Sequence, residues 1–358
     1  MRTVDVNDAE TFLANLPPRR LRWSGLPVSG HYHTAAAVLS GVGSDLSEFP
    51  SADLRIPTSD DTGDVLTAKW LRPRGFSLDQ EPQCPLIVLL HGLGGHAGSS
   101  YIRRSASWLL ENQRDVLLFN FRGAGDSCDL CRKHNHPGRT EDLRDLFRWI
   151  ERNTEPNVVR CGAVPVGFSL GGNILLKFLA ENEQTGPVRA AVTVSAPMDL
   201  EETSRRLSRW KNLPYRLYLL HKLRNRVLDE TGFLSKKEKQ RVRWTKSVWE
   251  FDKQFTAPRN GYESVEAYYA DNSAIPSLPK IEVPTLLVYA RDDPFVPSKT
   301  YEEFAWDDHP NLLPAISDAG GHVGFVGSDH DSLWHNRCIL YAAENIDTLS
   351  ATAVGSER

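Results

Sequence analysis

A serine between glycines stands where an apolar run meets a helical pattern. Residues 163–168 form the apolar run, residues 167–171 read Gly-Phe-Ser-Leu-Gly, and residues 171–182 have helical spacing. This context is typical of a nucleophile elbow, in which a turn too tight for side chains exposes the serine hydroxyl. An ordinary Gly/Ser turn is the alternative. The context favours Ser169 as a nucleophile.

A serine hydroxyl is a weak nucleophile at neutral pH, so it requires a nearby base and a carboxylate that orients the base. Behind an elbow of this kind the acid comes next in the chain and the histidine last. Asp292 and Asp293 follow the apolar run 285–290, and His322 lies between glycines after the apolar run 312–316. Spacing alone does not decide which aspartate faces the histidine.

A glycine-rich loop follows another apolar run. Residues 91–95 read His-Gly-Leu-Gly-Gly and come directly after residues 85–90. Acyl transfer needs N–H donors at the developing oxyanion, each typically worth about 3–4 kcal/mol of barrier. We predict that the backbone N–H groups of Leu93 and Leu170 form this oxyanion hole. A phosphate-binding loop is the alternative, but no Gly-Lys-Ser or Gly-Lys-Thr follows.

The elements that would position these residues alternate along the chain. Apolar runs predict strands that are covered on both faces, and helical patterns lie between them. Residues 54–56 and 65–71, with a polar turn at 58–64, predict a hairpin that opens the sheet. We therefore expect an α/β fold with a mostly parallel sheet, right-handed crossovers and helices on both faces. The predicted buried strands are residues 85–90, 116–120, 163–168, 190–195 and 285–290, and the predicted helices are residues 99–112, 140–152, 171–182 and about 333–343.

The alternation stops between residues 197 and 279, where Arg, Lys, Trp and Tyr mix with Leu at helical spacing. We interpret residues 197–279 as a helical cap inserted into one core domain, which a chain of 358 residues is long enough to form. The core then comprises residues 54–196 and 280–348, with an N-terminal extension at residues 1–53 that packs on it. Residues 349–358 are expected to form a flexible tail.

Charge is segregated along the chain. The formal net charge is −4, but residues 201–250 contain 14 Lys and Arg against 6 Asp and Glu, which gives this segment a net charge of +8. Most such runs are solvated helix faces, and a basic, aromatic run also suits contact with an anionic substrate or an anionic membrane surface. No nucleic-acid recognition motif accompanies the charge, so we expect no nucleic-acid partner.

Four residues of metal-binding type lie within nine positions. Cys128, Cys131, His134 and His136 suit zinc by type, but their spacing is more compressed than that of an ordinary zinc finger. We expect this segment to be a polar loop near the mouth of the site and to hold no metal.

The cysteine content and the hydropathy pattern bear on the compartment. Five cysteines are a sparse and odd set, which argues against a disulfide framework. No 18 apolar residues run together, and charges are spread through residues 1–22, where a signal peptide would have an apolar core. We therefore expect a cytoplasmic protein.

Taken together, these motifs resemble those of the YheT-like group of α/β hydrolases, which includes eukaryotic abhydrolase-domain proteins. The likeness covers about residues 20–345. Ser29, Tyr32 and His33 depart from the group's Asn-Gly-His-Leu-Gln-Thr motif. The matching motifs are Ser-Gly-His-Tyr-His-Thr at 29–34, the loop at 91–95, Phe-Arg-Gly at 121–123, His-Pro-Gly-Arg-Thr-Glu-Asp-Leu at 136–143, Gly-Phe-Ser-Leu-Gly-Gly-Asn at 167–173, Asp-Asp-Pro-Phe at 292–295 and Gly-Gly-His-Val-Gly-Phe at 320–325.

The resemblance implies roles for individual residues. The acid of this group is the aspartate just before Pro-Phe, which corresponds to Asp293, and the nucleophile and base correspond to Ser169 and His322. The group is associated with hydrolysis of carboxylic esters, with lipases and with some acyl transfer.

From these observations we expect a serine-dependent carboxylic ester hydrolase that works through an acyl-enzyme, without a metal or an organic cofactor. The cap at residues 197–279 would cover the site and select short- to medium-chain acyl groups. Two alternatives remain at this stage: acyl transfer to an alcohol by the same residues, and a binding protein that keeps the fold without catalysis.

Overall fold

A mixed sheet forms the centre of the molecule. The computed structural model describes residues 6–18, 29–39, 44–77, 79–181, 185–228, 235–326 and 333–345. Within these residues eight strands form one sheet. In chain order the strands are β1 (Ser51–Pro57), β2 (Val65–Leu71), β3 (Leu86–Leu90), β4 (Val116–Asn120), β5 (Ala163–Phe168), β6 (Ala191–Val194), β7 (Thr285–Ala290) and β8 (Leu312–Ser317).

Helices connect and cover the strands. In chain order they are α1 (Val6–Ala14), α2 (Gly30–Leu39), α3 (Ser100–Glu111), α4 (Glu141–Asn153), α5 (Pro156–Cys161), α6 (Leu170–Ala180), α7 (Leu200–Leu207), α8 (Leu213–Leu228), α9 (Lys236–Trp244), α10 (Val248–Phe251), α11 (Ala257–Arg259), α12 (Val265–Asn272), α13 (Lys299–Glu302) and α14 (Trp334–Glu344). A π-helical turn, Asp252–Thr256, joins α10 to α11.

The strand order is β1-β2-β4-β3-β5-β6-β7-β8. The β1–β2 and β2–β4 pairs are antiparallel, and the remaining pairs from β4 to β8 are parallel. The prediction of an α/β fold that opens with a hairpin is confirmed. Every residue of β3, β4, β5, β6 and β7 is buried, because helices cover the sheet on both faces.

Two apolar clusters lie on the two faces of the sheet. One includes side chains of α4 and α6, and the other includes side chains of α3 and α14. Phe12 of α1 belongs to the second cluster, and its ring centroid lies 4.8 Å from that of Tyr341. Helix α1 therefore packs on the core next to the last helix.

The chain between β6 and β7 is largely helical and contains α7 to α12. We call residues 197–279 the insertion. Side chains from α7, α8, α9 and α10 and from the π-helical turn form a third apolar cluster, separate from the two clusters on the sheet. The domain boundaries set out above stay a prediction, and the tail predicted at residues 349–358 lies outside the described residues.

In the described part of the chain, no helix combines the length and the apolar character that crossing a bilayer would demand.

A buried arginine joins the hairpin turn to helix α4. The guanidinium of Arg122, which has no exposed surface, donates to Asp142 at 2.8 and 3.0 Å, to Asp60 at 2.7 Å and to Asp64 at 3.1 Å. Its backbone carbonyl accepts a hydrogen bond of 2.8 Å from Arg226 in the insertion. One side chain thus holds together the turn before β2, the start of α4 and the loop after β4, and its backbone connects them to α8.

We expect Arg122→Met to lower the free energy of unfolding by about 3–5 kcal/mol, because the change leaves buried carboxylates without their cation. Urea-induced unfolding followed by circular dichroism measures the effect. Arg291→Met is the control, since Arg291 pairs with Glu302 and Asp318 at the surface and its loss is expected to change the free energy of unfolding far less. Equal losses in the two variants would contradict the role given to Arg122.

Candidate active site

Ser169 stands at the sharp turn between β5 and α6. Its backbone has φ 50° and ψ −124°, a conformation that residues other than glycine rarely adopt. Its N–H donates to the carbonyl of Val194 at 2.9 Å, and its carbonyl accepts from Gly172 at 2.8 Å. These bonds fix the strained turn and direct the hydroxyl beyond the carboxyl end of the strand.

Glycines on both sides of the serine allow close packing of the backbone. A Cβ atom on Gly167 would lie 2.5 Å from the Cα of Gly172, and one on Gly171 would lie 2.6 Å from the carbonyl oxygen of His91. Real Cβ atoms do not approach backbone atoms so closely. Helix α6 can therefore begin directly beside the ends of β3 and β5 only where these positions carry no side chain.

The structure brings the predicted base to the serine. His322 Nε2 lies 2.8 Å from Ser169 Oγ, and His322 Nδ1 lies 2.8 Å from Asp293 Oδ2. Asp293 is fully buried, and its other oxygen accepts N–H groups of Phe295 at 2.7 Å and Val296 at 3.0 Å. The backbone bonds hold the carboxylate in one orientation, and the carboxylate in turn holds the imidazole. The result is a continuous hydrogen-bonded array of Ser, His and Asp.

The two adjacent aspartates have different contacts. Asp293 touches the imidazole, whereas Asp292 Oδ1 accepts the N–H of Gly321 at 2.8 Å. Asp292 therefore supports the backbone next to the histidine and stays off its ring. Spacing in the sequence could not show which aspartate contacts the imidazole, because the direction of each side chain in a loop depends on the backbone conformation.

Residues on distant segments also hold the histidine loop in place. The N–H of His322 donates to Thr34 Oγ1 at 2.9 Å, and the N–H of Val323 donates to Ser195 Oγ at 3.1 Å. Val323 and Phe325 have φ values of 61° and 45°, the left-handed region that favours glycine. Thr34 stands in the Ser-Gly-His-Tyr-His-Thr motif, but nothing in the sequence indicated that it supports the histidine loop.

The glycine-rich loop lies against the serine. A Cβ on Gly92 would be 3.0 Å from the Cβ of Ser169, so the loop backbone passes directly beside the nucleophile candidate. The N–H of Leu170 is the first of helix α6 and has no partner within the helix. In the described part of the chain, the N–H groups of Leu93 and Leu170 donate to no protein acceptor. Both predicted oxyanion donors thus remain free to bind a ligand.

His91 supports this loop from behind. Its Nδ1 donates to the carbonyl of Gly92 at 2.9 Å, and its Nε2 accepts the N–H of Phe121 at 3.3 Å. Burial lowers the pKa of His91 to about 3, and the nearby cations Arg226 and Lys222 also lower it. A ring that donates at one nitrogen and accepts at the other is neutral, so His91 acts as a fixed brace for the loop.

A cavity of about 430 Å³ opens over the array. Ser169, His322, Leu93 and Leu170 line its floor. Its wall comes mainly from the insertion and is mostly apolar, with contributions from Leu200, Leu207, Leu219, Leu223, Val248 and Phe251. The arrangement suits an apolar chain attached to a group that reacts at the serine.

One carboxyl group sits in this wall. Asp252 accepts hydrogen bonds of 2.7 Å from Tyr269 and from Thr256, and burial raises its pKa to about 6 even though both hydroxyls lower it. It stands in the π-helical turn, a form of helix that is frequent at functional sites. No motif of the sequence pointed to Asp252.

The Cys and His side chains of residues 128–136 do not point toward a common centre. Cys128 Sγ donates to the carbonyl of Gly123 at 3.1 Å, Cys131 Sγ donates to the carbonyl of Val65 at 3.3 Å, and the ring of His134 packs against that of another aromatic residue, 5.7 Å between centroids. Among the residues that the structure describes, no group of three or more His, Cys, Asp or Glu side chains is arranged to hold a metal ion. Residues 135 and 136 of this loop line the cavity, as the sequence predicted for a loop near the mouth.

Comparison with known proteins places the chain in a family. A family model described as alpha/beta hydrolase fold matches residues 85–329. The chain is 32% identical to the putative esterase YheT of Escherichia coli over 70% of this chain and 74% of that protein. It is 30% identical to the phospholipase ABHD3 of Mus musculus over 71% of this chain and 60% of that protein. It is also 28% identical to medium-chain fatty acid ethyl ester synthase/esterase 2 of Saccharomyces cerevisiae, over 78% of this chain and 66% of that protein.

The fold also matches solved structures. The esterase Pf2001 of Pyrococcus furiosus superposes with a TM-score of 0.56, at 18% sequence identity, over 92% of this chain and 99% of that one. At this identity the likeness supports the α/β-hydrolase fold alone.

We expect Gly171→Ala to lower the free energy of unfolding by about 1–3 kcal/mol, because its methyl group would meet the backbone carbonyls of Leu90 and His91. Gly98→Ala is the matched control: its closest neighbour is the His96 side chain at 3.0 Å, which needs to shift by only a few tenths of an ångström, and we expect a change within about 0.5 kcal/mol. Urea unfolding of both variants measures the difference. A Gly171→Ala variant as stable as the control would contradict the packing described for α6.

Proposed function

Because this chain belongs to the alpha/beta hydrolase fold family, we propose that it is a serine-dependent carboxylic ester hydrolase that works through an acyl-enzyme. The observation that carries the proposal is the pair of 2.8 Å contacts that His322 makes with Ser169 and Asp293. This geometry suits the roles of nucleophile, general base and orienting acid in a catalytic triad.

In the first half of the reaction Ser169 Oγ attacks the ester carbonyl carbon while His322 Nε2 takes the hydroxyl proton. Asp293 keeps the other ring nitrogen protonated and stabilises the imidazolium. The oxyanion is bound by the N–H groups of Leu93 and Leu170, where the start of helix α6 adds a favourable dipole. The C–O bond to the alcohol then breaks, the imidazolium protonates the leaving alcohol, and the acyl group remains on Ser169.

In the second half water replaces the alcohol. His322 removes a proton from the water, the hydroxide attacks the acyl carbon, and the tetrahedral intermediate collapses to the carboxylic acid and free Ser169, which regains its proton from the imidazolium. Each step uses groups of this chain and water, so the proposal needs no metal and no organic cofactor.

The cavity supports an apolar substrate of modest size. Its volume of about 430 Å³ lies toward the lower end of the range typical of ligand sites, about 300–1,000 Å³. Apolar side chains of the insertion, such as Leu207, Leu223 and Phe251, form much of its wall. We propose short- to medium-chain acyl esters as substrates, with the insertion setting the chain-length limit.

A second candidate reaction is acyl transfer to an alcohol. The yeast relative is named a medium-chain fatty acid ethyl ester synthase/esterase, and synthesis differs from hydrolysis only in the group that attacks the acyl-enzyme. Analysis of the products formed with added ethanol separates the two reactions. A binding protein without catalysis is the remaining alternative, and rapid labelling of Ser169 by a fluorophosphonate would exclude it, because only an activated serine reacts quickly.

We expect Ser169→Ala and Asp293→Asn to lower kcat/KM for p-nitrophenyl acyl esters by about 10³-fold or more, whereas Asp292→Asn should cost less than about 30-fold. The two Asn variants form a matched pair, since each removes one charge from the same loop and only Asp293 contacts the imidazole. Release of p-nitrophenol across a series of chain lengths measures the effect. If Asp292→Asn were the more damaging change, the acid would be misassigned, and a wild type inert to every ester and to the fluorophosphonate would overturn the proposal.

We propose that the enzyme reaches its substrates at an anionic membrane surface. Trp210, Leu213, Leu217 and Tyr218 form an apolar patch on the insertion, with exposed fractions of 79, 41, 56 and 46%. Such a cluster of large apolar side chains in solvent marks an interaction surface.

Charge complementarity selects the partner of this patch. Lys211 and Lys222 place their ammonium groups 5.8 and 4.9 Å from the rings of Trp210 and Tyr218, and residues 201–250 carry a net charge of +8. Basic and aromatic side chains together bind the headgroup region of anionic bilayers. Tyr218 and Lys222 also line the cavity over Ser169, so the patch borders the entrance.

We expect Trp210→Ser and Leu217→Ser to weaken binding to vesicles of phosphatidylcholine with about 30 mol% phosphatidylserine by about tenfold each, and added salt to weaken it further. Phe76→Ser is the control, because Phe76 is 37% exposed but lies outside the insertion. Co-sedimentation with vesicles measures the bound fraction. Equal binding to vesicles of pure phosphatidylcholine, or no binding at all, would contradict the proposed surface.

A further inference from the structure

A second cavity adjoins the one above Ser169. Its volume is about 960 Å³, and its lining is mainly polar. We call it the polar chamber. It lies between the loop at residues 133–141, helix α6 and the insertion. The two cavities share six lining residues, which are Asn135, His136, Leu223, Arg226, Phe251 and Thr256.

Two cationic side chains of the polar chamber have no carboxylate partner among the residues that the structure describes. Some of its charges are paired, such as Arg144 with Glu181 at 3.0 Å. Arg139 and Lys177 also line the chamber, and neither has a carboxylate within 4.0 Å in the described part of the chain. The Lys177 ammonium donates to the backbone carbonyl of Asp271. The chamber lining as a whole contains six Lys and Arg against four Asp and Glu, the acids being Asp60, Glu141, Glu181 and Asp271, so an excess of positive charge remains.

Arg139 is the more unusual of the two because it is 8% exposed. One of its terminal nitrogens donates to Asn260 Oδ1 at a long 3.3 Å, and within the described ranges its Nε has no acceptor. Asp142 attracts it from farther away, but that carboxylate is bound to Arg122. A buried guanidinium without an acid partner is costly, and an anion that enters the chamber would satisfy it with charge-assisted hydrogen bonds.

His136 lies close to the same cations. His136 stands in the wall between the two cavities. Its pKa is lowered to about 3 by burial first, and then by Arg139, Lys177 and Arg122. An anion bound next to this wall would therefore lie near several cations and a neutral imidazole.

The distance from the reacting serine follows from helix α6. Ser169, Asn173 and Lys177 are spaced four residues apart and so follow one side of the helix. Asn173 fixes the floor between them by donating to the carbonyl of Asn272 at 2.9 Å. At 1.5 Å of rise per residue, the backbone of Lys177 lies about 12 Å from that of Ser169. The chamber is thus within reach of a single small substrate bound at the serine.

We propose that the polar chamber binds an anionic group, a carboxylate or a phosphate, that the substrate carries about 10 Å from its ester carbonyl. Arg139 and Lys177 supply the binding charges. This inference rests on the proposed ester hydrolysis and narrows its substrates to esters with a remote negative charge.

The test compares two p-nitrophenyl esters of equal chain length. Mono-p-nitrophenyl sebacate ends in a carboxylate and p-nitrophenyl decanoate ends in a methyl group. We expect the wild type to favour the sebacate by about tenfold or more in kcat/KM, and Arg139→Gln and Lys177→Gln to remove most of this preference. Arg148→Gln is the control, because it makes the same change of charge on helix α4 but lies outside the chamber lining. Lys177→Gln keeps the test valid if Arg139→Gln fails to fold.

The outcomes separate this inference from the proposed function. A wild type that hydrolyses both esters without preferring the sebacate would overturn the anion site and leave the esterase intact. Equal loss of preference in Arg148→Gln would also overturn it, since overall charge would then explain the effect. If neither ester is hydrolysed, the proposed function fails, and calorimetric titration of the Ser169→Ala variant then tests the anion site alone. Tighter binding of the sebacate than of the decanoate supports the anion site. Equal binding of the two esters, or no binding, overturns it. A matched pair of glycerol esters with and without a phosphate, with hydrolysis followed by titration of the released acid, distinguishes the two anions.

Discussion

The close contact between the start of helix α6 and the ends of β3 and β5 is the constraint on which the rest of the site depends. Ser169 can hold its positive φ only because backbone atoms surround it at distances that leave no room for side chains at Gly167 and Gly171. The contact also brings the glycine-rich loop beside the serine and points the first N–H of the helix at the same space. One packing arrangement therefore creates both the exposed hydroxyl and its N–H donors.

The insertion and the acid loop depend on each other. Arg206 donates to the carbonyls of Asp293 and Pro294, and Asn212 also donates to Pro294 at 2.8 Å. The helices that form the wall of the cavity are thus bound to the loop that carries the acid. Because Arg226 is bonded to the carbonyl of Arg122, the insertion is held at a second point on the core. A change in the position of the insertion would therefore alter both the shape of the cavity and the position of Asp293.

Much of the fold follows from local pattern. The runs at 116–120, 163–168 and 285–290 coincide with β4, β5 and β7, because strands buried on both faces must be apolar throughout. The serine, the histidine and the loop before α3 could also be singled out from sequence as candidates, since each stands at a strand end with glycines nearby. The resemblance, and not the spacing, distinguished Asp293 from Asp292.

Other features had no local signal. Thr34 supports the histidine from 288 positions away, and the carboxyl of Asp252 lies in the cavity only because α10 and the π-helical turn fold over the sheet. Arg139 has no carboxylate partner in the described part of the chain, because the nearby acid Asp142 is bound to Arg122. These contacts arise from the packing of segments that are far apart in the chain, and no local motif predicts them.

The left-handed backbone at Val323 and Phe325 has a consequence for engineering and evolution. A β-branched and an aromatic residue in this conformation store strain beside His322, and the surrounding contacts maintain it. Selection for thermal resistance alone would favour sequences that relax this loop, and relaxation would move the imidazole away from the serine. Stabilising mutations in the sheet and its covering helices are therefore expected to preserve activity. Stabilising mutations in the few residues around His322 are expected to reduce it.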